Sequence, residues 1–161
     1  MSKFAFLISC LLLSAPLALA KDKLAFQWNC GSPLEKHTID VGDRANHSYS
    51  ISKIACSPGK SSLREKSGLA TRFEDSAETF DNWHGILVAT TENGDKIYYS
   101  YASKGDAVRK EGKFQSGAET WSIVGGTGMF AGARGKGTCI GQRNSDGTVT
   151  WDCQGTYGVT K

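Results

Sequence analysis

Trp121-Ser122-Ile123-Val124-Gly125-Gly126-Thr127-Gly128-Met129-Phe130-Ala131-Gly132-Ala133-Arg134-Gly135-Lys136-Gly137-Thr138 concentrates glycine more than any other part of the chain. β-Branched and aromatic residues open the stretch, and glycines then recur at short intervals through Gly141. Spacing of this kind suits bends and bulges in a curling sheet. A phosphate-binding loop does not fit. Gly126-x-Gly128 has no third glycine at the dinucleotide offset, the Lys-Ser/Thr of a P-loop is missing, and no helical pattern follows to offer its N-terminus.

On the C-terminal side, Gly137 to Arg143 and Thr148 to Tyr157 read as two strands joined by the turn Asn144-Ser145-Asp146-Gly147. Five cysteines are present, at 10, 30, 56, 139 and 153. Four of them, Cys30, Cys56, Cys139 and Cys153, lie beyond the first twenty residues, and an even number in an oxidising compartment implies disulfides. Three connectivities are open. A hairpin centred near Asp146 sets Cys139 opposite Cys153, which leaves Cys30 for Cys56. A zinc site would need tight Cys-x-x-Cys or histidine spacing, which is missing, so no metal is expected.

On the N-terminal side, Glu119 to Val124 is paired by expectation with Ala107 to Gln115 around Ser116-Gly117. Trp83 to Thr91 and Lys96 to Ser103 form the clearest hairpin, turning on Glu92-Asn93-Gly94-Asp95. Leu24 to Trp28 and Ser48 to Ala55 also read as strands, with a polar, irregular stretch between them. Only Ser62 to Ser67 and Glu74 to Glu78 hint at helix, without amphipathic periodicity, and a loop turn is the alternative for either. The fold class is therefore all-β.

The first twenty residues differ in kind. Lys3 supplies a positive charge, Phe4 to Leu13 an apolar run too short to span a bilayer, and Ala18-Leu19-Ala20 the small-x-small pattern of a signal-peptidase site. Residues 1–20 are expected to be a cleavable signal peptide and 21–161 a single exported domain, periplasmic or extracellular, with no integral membrane span after cleavage. Cys10 leaves with the signal. The full chain has 19 basic and 16 acidic residues, and cleavage removes only Lys3 from either set. So mild and evenly spread a positive charge argues against nucleic acid as a partner. No linker, low-complexity run or repeat of fixed period divides the domain.

The stretch Trp121 to Thr138 resembles the signature of the allene oxide cyclase and dirigent-like barrel group, especially its bacterial exported members. The resemblance extends more weakly from Trp83 to Tyr157, with the Gly94-Asp95-Lys96 and Asp146-Gly147-Thr148 hairpins in the expected order. It implies a single closed antiparallel barrel of about eight strands, an architecture that removes exposed edges and leaves an interior either filled or able to hold one small ligand. Plant members of the group cyclise an unsaturated fatty-acid epoxide or steer the coupling of phenoxy radicals. No catalytic residue of theirs aligns here. Relatives often assemble, so a homo-oligomer is compatible with the resemblance, although no exposed apolar stripe in the sequence declares an interface.

Trp83, Tyr99, Tyr101, Trp121, Phe130, Trp151 and Tyr157 fall on strand phases, or in the signature loop, where they face the interior. They either fill the core or line a pocket for a small apolar or phenolic ligand. His37, His47 and His84 have no triad spacing and read as surface or structural. Asp152 and Gln154 read as solvent-facing, opposite Trp151 and Cys153. Glu74, Asp75, Glu78 and Asp81 lack the order of a calcium loop and read as a solvated acidic turn. Asn46-His47-Ser48 has the form of a glycosylation sequon. With no cofactor motif and no catalytic constellation, the expected role is a non-catalytic exported barrel that binds a small ligand or serves as an interaction module. The alternative is an isomerase or cyclase acting by confinement. A buried carboxylate or histidine facing a cavity would favour the enzyme.

Overall fold

The computed structural model describes residues 21–78, 80–105 and 107–160, so residues 1–20, expected to be a signal peptide, lie outside the described residues. Nine strands occur among them: β1 (Asp22–Asp40), β2 (Ser48–Ser61), β3 (Glu65–Ser76), β4 (Asp81–Thr91), β5 (Lys96–Ser103), β6 (Val108–Lys110), β7 (Lys113–Gly126), β8 (Ala133–Arg143) and β9 (Val149–Val159). One 3-10 turn, Gly128–Phe130, lies between β7 and β8. All pairings are antiparallel, in the order β5-β4-β3-β2-β1-β9-β8-β7, and β5 pairs with β7 to close an eight-stranded barrel. The short β6 pairs only with the start of β7. The all-β closed barrel is as expected. Among the described residues no helix is long and apolar enough to cross a membrane.

The interior is built by pairing large inward side chains with glycines. Trp121 lies over Gly137 and Gly155, where an added Cβ would come within 2.6 and 2.7 Å of the indole, and Trp151 lies as close to Gly141. Glycine at these three positions therefore removes volume where an indole must fit, and an expected bulge falls at Val124, where β7 shifts register against β5 between Ile123 and Gly125. Backbone freedom is what matters at Gly128, whose φ is +54° and whose missing Cβ leaves space for the Asp95 carboxylate. That carboxylate accepts the Met129 N–H at 3.1 Å and anchors the 3-10 turn. Phe130 is thereby turned into the barrel end, 5% exposed.

Both disulfides form as expected. Cys139 stands directly opposite Cys153, and Cys30 opposite Cys56. Closing a loop of fourteen residues, as the first does, contributes about 3 kcal/mol in the chain-entropy account.

Three sequence expectations fail for one reason: the apolar pattern does not report which face is inside. The polar stretch after Trp28 is strand, not irregular chain. β9 pairs with β1 only as far as Cys30, opposite Val149, and from Pro33 to Asp40 β1 runs on with β2 alone, its residues exposed. A strand wet on both faces has no alternation to read. Neither stretch that hinted at helix is helical: residues 62–64 and 77–78 are loop, and β3 takes up the rest. It turns Glu65, Gly68, Ala70 and Arg72 inward and leaves Leu69 and Phe73 exposed, an inversion of the usual order. β7 passes straight through Ser116-Gly117, and the turn falls at Glu111-Gly112, where both residues have positive φ. Gly117 faces the Trp83 and Phe114 rings, again a space-making glycine.

The same inversion gives the outer wall an apolar strip the sequence did not declare. Ile51 and Phe73 are cross-strand neighbours, Phe73 stacks on His84, and Ile39 and Tyr49 flank them, all exposed.

Candidate functional site

The two ends of the barrel are closed to different degrees. At one end Leu24, Leu63, Ile97, Ile123, Phe130 and Ala133 are buried together. Tyr99 donates its hydroxyl to Glu65 Oε1 at 2.9 Å, and Ser61 donates to the other oxygen of the same carboxylate. Burial, with the Glu65 charge beside it, holds the Tyr99 phenol well above its ordinary pKa, so it stays a donor.

At the other end the wall splits. Once β1 leaves β9 beyond Cys30, a mouth opens between Pro33 and Lys36 on one side and Arg143, Gly147 and Val149 on the other. Its cavity is about 260 Å³, floored by Ile54, Phe114 and Trp151 and bordered by Arg72, Glu74 and Arg109. Below it lies a chamber of about 40 Å³ that shares Cys30, Ile54, Arg72 and Trp151 and adds Trp28, Leu87, Tyr101 and Glu119. That is room for a water or two. Larger hollows lie on the barrel's outside, at Gln27–Ile140–Asp152 and at Tyr49–Phe73–His84, where exposed side chains line them, and a third of about 410 Å³ lies over the apolar plug at the other end, between Arg64, Met129 and Tyr157.

Strand phase sets each polar group in this chamber. Glu119 precedes Trp121 and Ile123 on the inward face of β7 and is 8% exposed. It accepts one hydrogen bond, from Trp83 Nε1 at 3.0 Å. Burial dominates its ionisation: the carboxyl is pushed up from 4.5 to about 7, with the Trp83 bond and the Arg72 charge only partly opposing. Arg72 follows Gly68 and Ala70 on β3, opposite Gly85, where the lack of a side chain admits the Tyr101 ring. Its guanidinium carbon lies 5.8 Å from the Trp83 ring centroid, and its Nε is buried with no hydrogen-bond partner among the described residues. Burial raises the Tyr101 phenol too, and Arg72 moderates the shift.

Above this layer, Arg109 donates to Asp81 Oδ2 from Nε at 3.0 Å and from Nη2 at 2.5 Å. Burial and the nearby Glu74 raise the Asp81 carboxyl, and Arg109 opposes them. Glu74 also receives Lys36 at 3.9 Å. Of the acidic residues expected as a solvated turn, Glu74 and Asp81 share Arg109, Asp75 is taken by His47 at 3.0 Å, and Glu78 is exposed. Among the described residues no cluster could hold a metal ion. His47 is structural, clasped between Asp43 and Asp75, and its pKa is raised chiefly by the Asp43 bond. His84, Asp152 and Gln154 face solvent.

All seven aromatic residues expected to face inward are buried or half-buried, but they do not form one pocket. Tyr101 and Trp151 line the chamber and Trp83 holds Glu119. Tyr99 and Trp121 are packed against Phe26 in the filled core. Phe130 and Tyr157 belong to the closed end, beside Leu63. Sequence reasoning missed Glu119 and Arg72. The first was within reach, since it shares a phase with Trp121 two residues on. The second was not, because β3 itself carried no strand signal.

No family model matches the chain, and no curated protein matches it by sequence. Among solved structures, the pterocarpan synthase dirigent protein superposes with a TM-score of 0.53 over 99% of this chain and 100% of that one, at 14% identity. The likeness is one of fold, and it agrees with a dirigent-like eight-stranded barrel.

Proposed function

We propose that this is an exported, non-catalytic barrel protein that holds one small aromatic or phenolic molecule in its mouth. The observation carrying this reading is the joined mouth and chamber, in which aromatic and aliphatic walls converge on a buried guanidinium with an unused Nε donor. Small-molecule sites combine an apolar lining with a few fixed polar groups, and at about 260 Å³ this one suits a ligand smaller than most. Trp151 and Phe114, with ring centroids 5.8 Å apart, supply flat surfaces for a ring. Export is supported by residues 1–20 and by two disulfides, which persist outside the cytoplasm. The exported protein should begin at or near Lys21 on N-terminal sequencing.

A second reading has its own observation. Glu119 is a buried carboxylate facing the chamber, the feature expected of an enzyme, and with its carboxyl raised to about 7 it is suited to proton transfer, so an isomerase or cyclase on the same ligand class is the alternative. Among the described residues no second carboxylate or histidine lines the chamber, which favours the binding protein. Native mass spectrometry of protein purified from its own host tests both. A released small molecule, bound unchanged by wild type and Glu119→Gln, supports the binding protein. A molecule that wild type converts and Glu119→Gln does not supports the enzyme. Repeated recovery of bare protein counts against both.

A further inference from the structure

The charge around the mouth is out of balance with what the walls alone require. Lys36, Arg72, Arg109 and Arg143 line it together with a single carboxylate, Glu74. Arg109 is engaged by Asp81 and Glu74, and Lys36 leans on Glu74. Neither Arg72 nor Arg143 has a carboxylate at salt-bridge distance among the described residues. Among the described residues Arg72 is also the one cation that reaches from the mouth into the chamber, and its Nε is an unused donor. A planar guanidinium with a free Nε donor over an apolar floor matches a carboxylate carried on a flat ring. A cavity of this size limits the ring system to about one ring.

Glu119 shares the chamber with Arg72. An anion seated on Arg72 would place a second negative charge near the carboxylate, and like charges in a dry site exclude joint ionisation. The other groups around Glu119 cannot relieve this near neutral pH. Tyr101 from β5 is a phenol whose pKa burial raises further. Arg72 from β3 is the guanidinium that the anion itself would occupy. Asp81 from β4 is bound to Arg109, Glu74 on β3 lies between Arg109 and Lys36, and Cys139 and Cys153 on β8 and β9 are joined as a disulfide.

Resting on the reading of the mouth as a small-ligand site, we infer that its ligand is a single-ring aryl carboxylate bound by Arg72, and that Glu119 takes up one proton from solution as the anion binds. No bond other than the Glu119 O–H forms, and the net charge brought into the chamber is zero.

Isothermal titration of the full exported chain with benzoate, phenol and benzamide, between about pH 6 and pH 8.5 and in buffers of different protonation enthalpy, tests both halves. Benzoate should bind at least tenfold tighter than phenol or benzamide. Its affinity should fall towards tenfold per pH unit above about pH 7, with up to one proton taken up per ligand. Glu119→Gln should bind benzoate with no such slope, and Arg72→Met should lose at least tenfold at every pH while keeping the wild-type far-ultraviolet spectrum. A flat pH profile in wild type, or the same slope in Glu119→Gln, overturns the proton coupling. Phenol or benzamide binding as tightly as benzoate overturns the anion assignment and leaves the small-ligand reading standing. If no probe binds or alters indole fluorescence, that reading falls as well.

Discussion

Two glutamates are buried in this barrel to nearly the same degree, Glu65 at 7% exposure and Glu119 at 8%, and they serve its ends in opposite ways. Glu65 is surrounded by hydroxyls. Tyr99 and Ser61 each donate to it, and the apolar plug that includes Leu63 and Phe130 closes the barrel beside it. Glu119 has one indole donor and an unpaired guanidinium nearby, and it lines a chamber that opens through the split between β1 and β9. Burial alone therefore does not mark a functional carboxylate. What separates the two is how many donors the fold supplies and whether space is left beside the group.

The largest effect should come from removing packing at the filled end. Trp121→Ala should cost about 3–5 kcal/mol in urea unfolding, because Gly137 and Gly155 are cut to its indole and cannot collapse into the void. Arg72→Met at the mouth should leave stability unchanged or improve it, since it deletes a buried donor that has no partner. Equal losses from the two would erase the distinction between the ends.

Next comes the pH dependence of Glu119. Its folded pKa lies above its unfolded value, so between 4.5 and about 7 the folded state holds a proton that the unfolded chain has released. Stability should therefore fall across that window as pH rises, by about 3 kcal/mol for this group. Glu119→Gln should remove that fall, as read from unfolding midpoints at pH 4.5 and 7.5 after other titrations are matched.

Tyr99→Phe should cost about 1–3 kcal/mol by taking one donor from a buried carboxylate. A cost indistinguishable from zero would mean that Glu65 is less dependent on its hydroxyls than the comparison requires.

The smallest effect is local. His47 has a raised pKa, so the clasp of Asp43 and Asp75 on it is complete below about 6.5 and is lost as pH rises through the folded value. Proteolysis of the Val41–Asn46 loop should quicken above neutral pH, and His47→Asn should remove that step.

Much of this architecture was legible in the residues. The C-terminal hairpin followed from Asn144 to Gly147, and both disulfides followed from placing Cys139 opposite Cys153. Trp83, Tyr99 and Trp121 were recognisable as inward because large aromatics alternate with polar neighbours. β3 was hidden, since a strand with Arg72 inside and Phe73 outside opposes the rule by which strands are read. The mouth was hidden for a related reason. It arises where β1 runs past its partner β9, and strand lengths relative to neighbours are a property of closure, not of local pattern. The glycine-rich stretch marked the barrel correctly, with a bulge between Ile123 and Gly125, while Gly137 makes room for the Trp121 indole.

The barrel interior is open beside Glu119 and filled by apolar side chains beside Glu65. The chain's four tryptophans report on it individually, because Trp28 and Trp151 line the chamber, Trp83 holds Glu119, and Trp121 is packed in the filled core. Titrating benzoate while following the four indole N–H resonances should shift Trp28 and Trp151 most and Trp83 less, and leave Trp121 in place. A shift led by Trp121, or equal movement of all four, would contradict it.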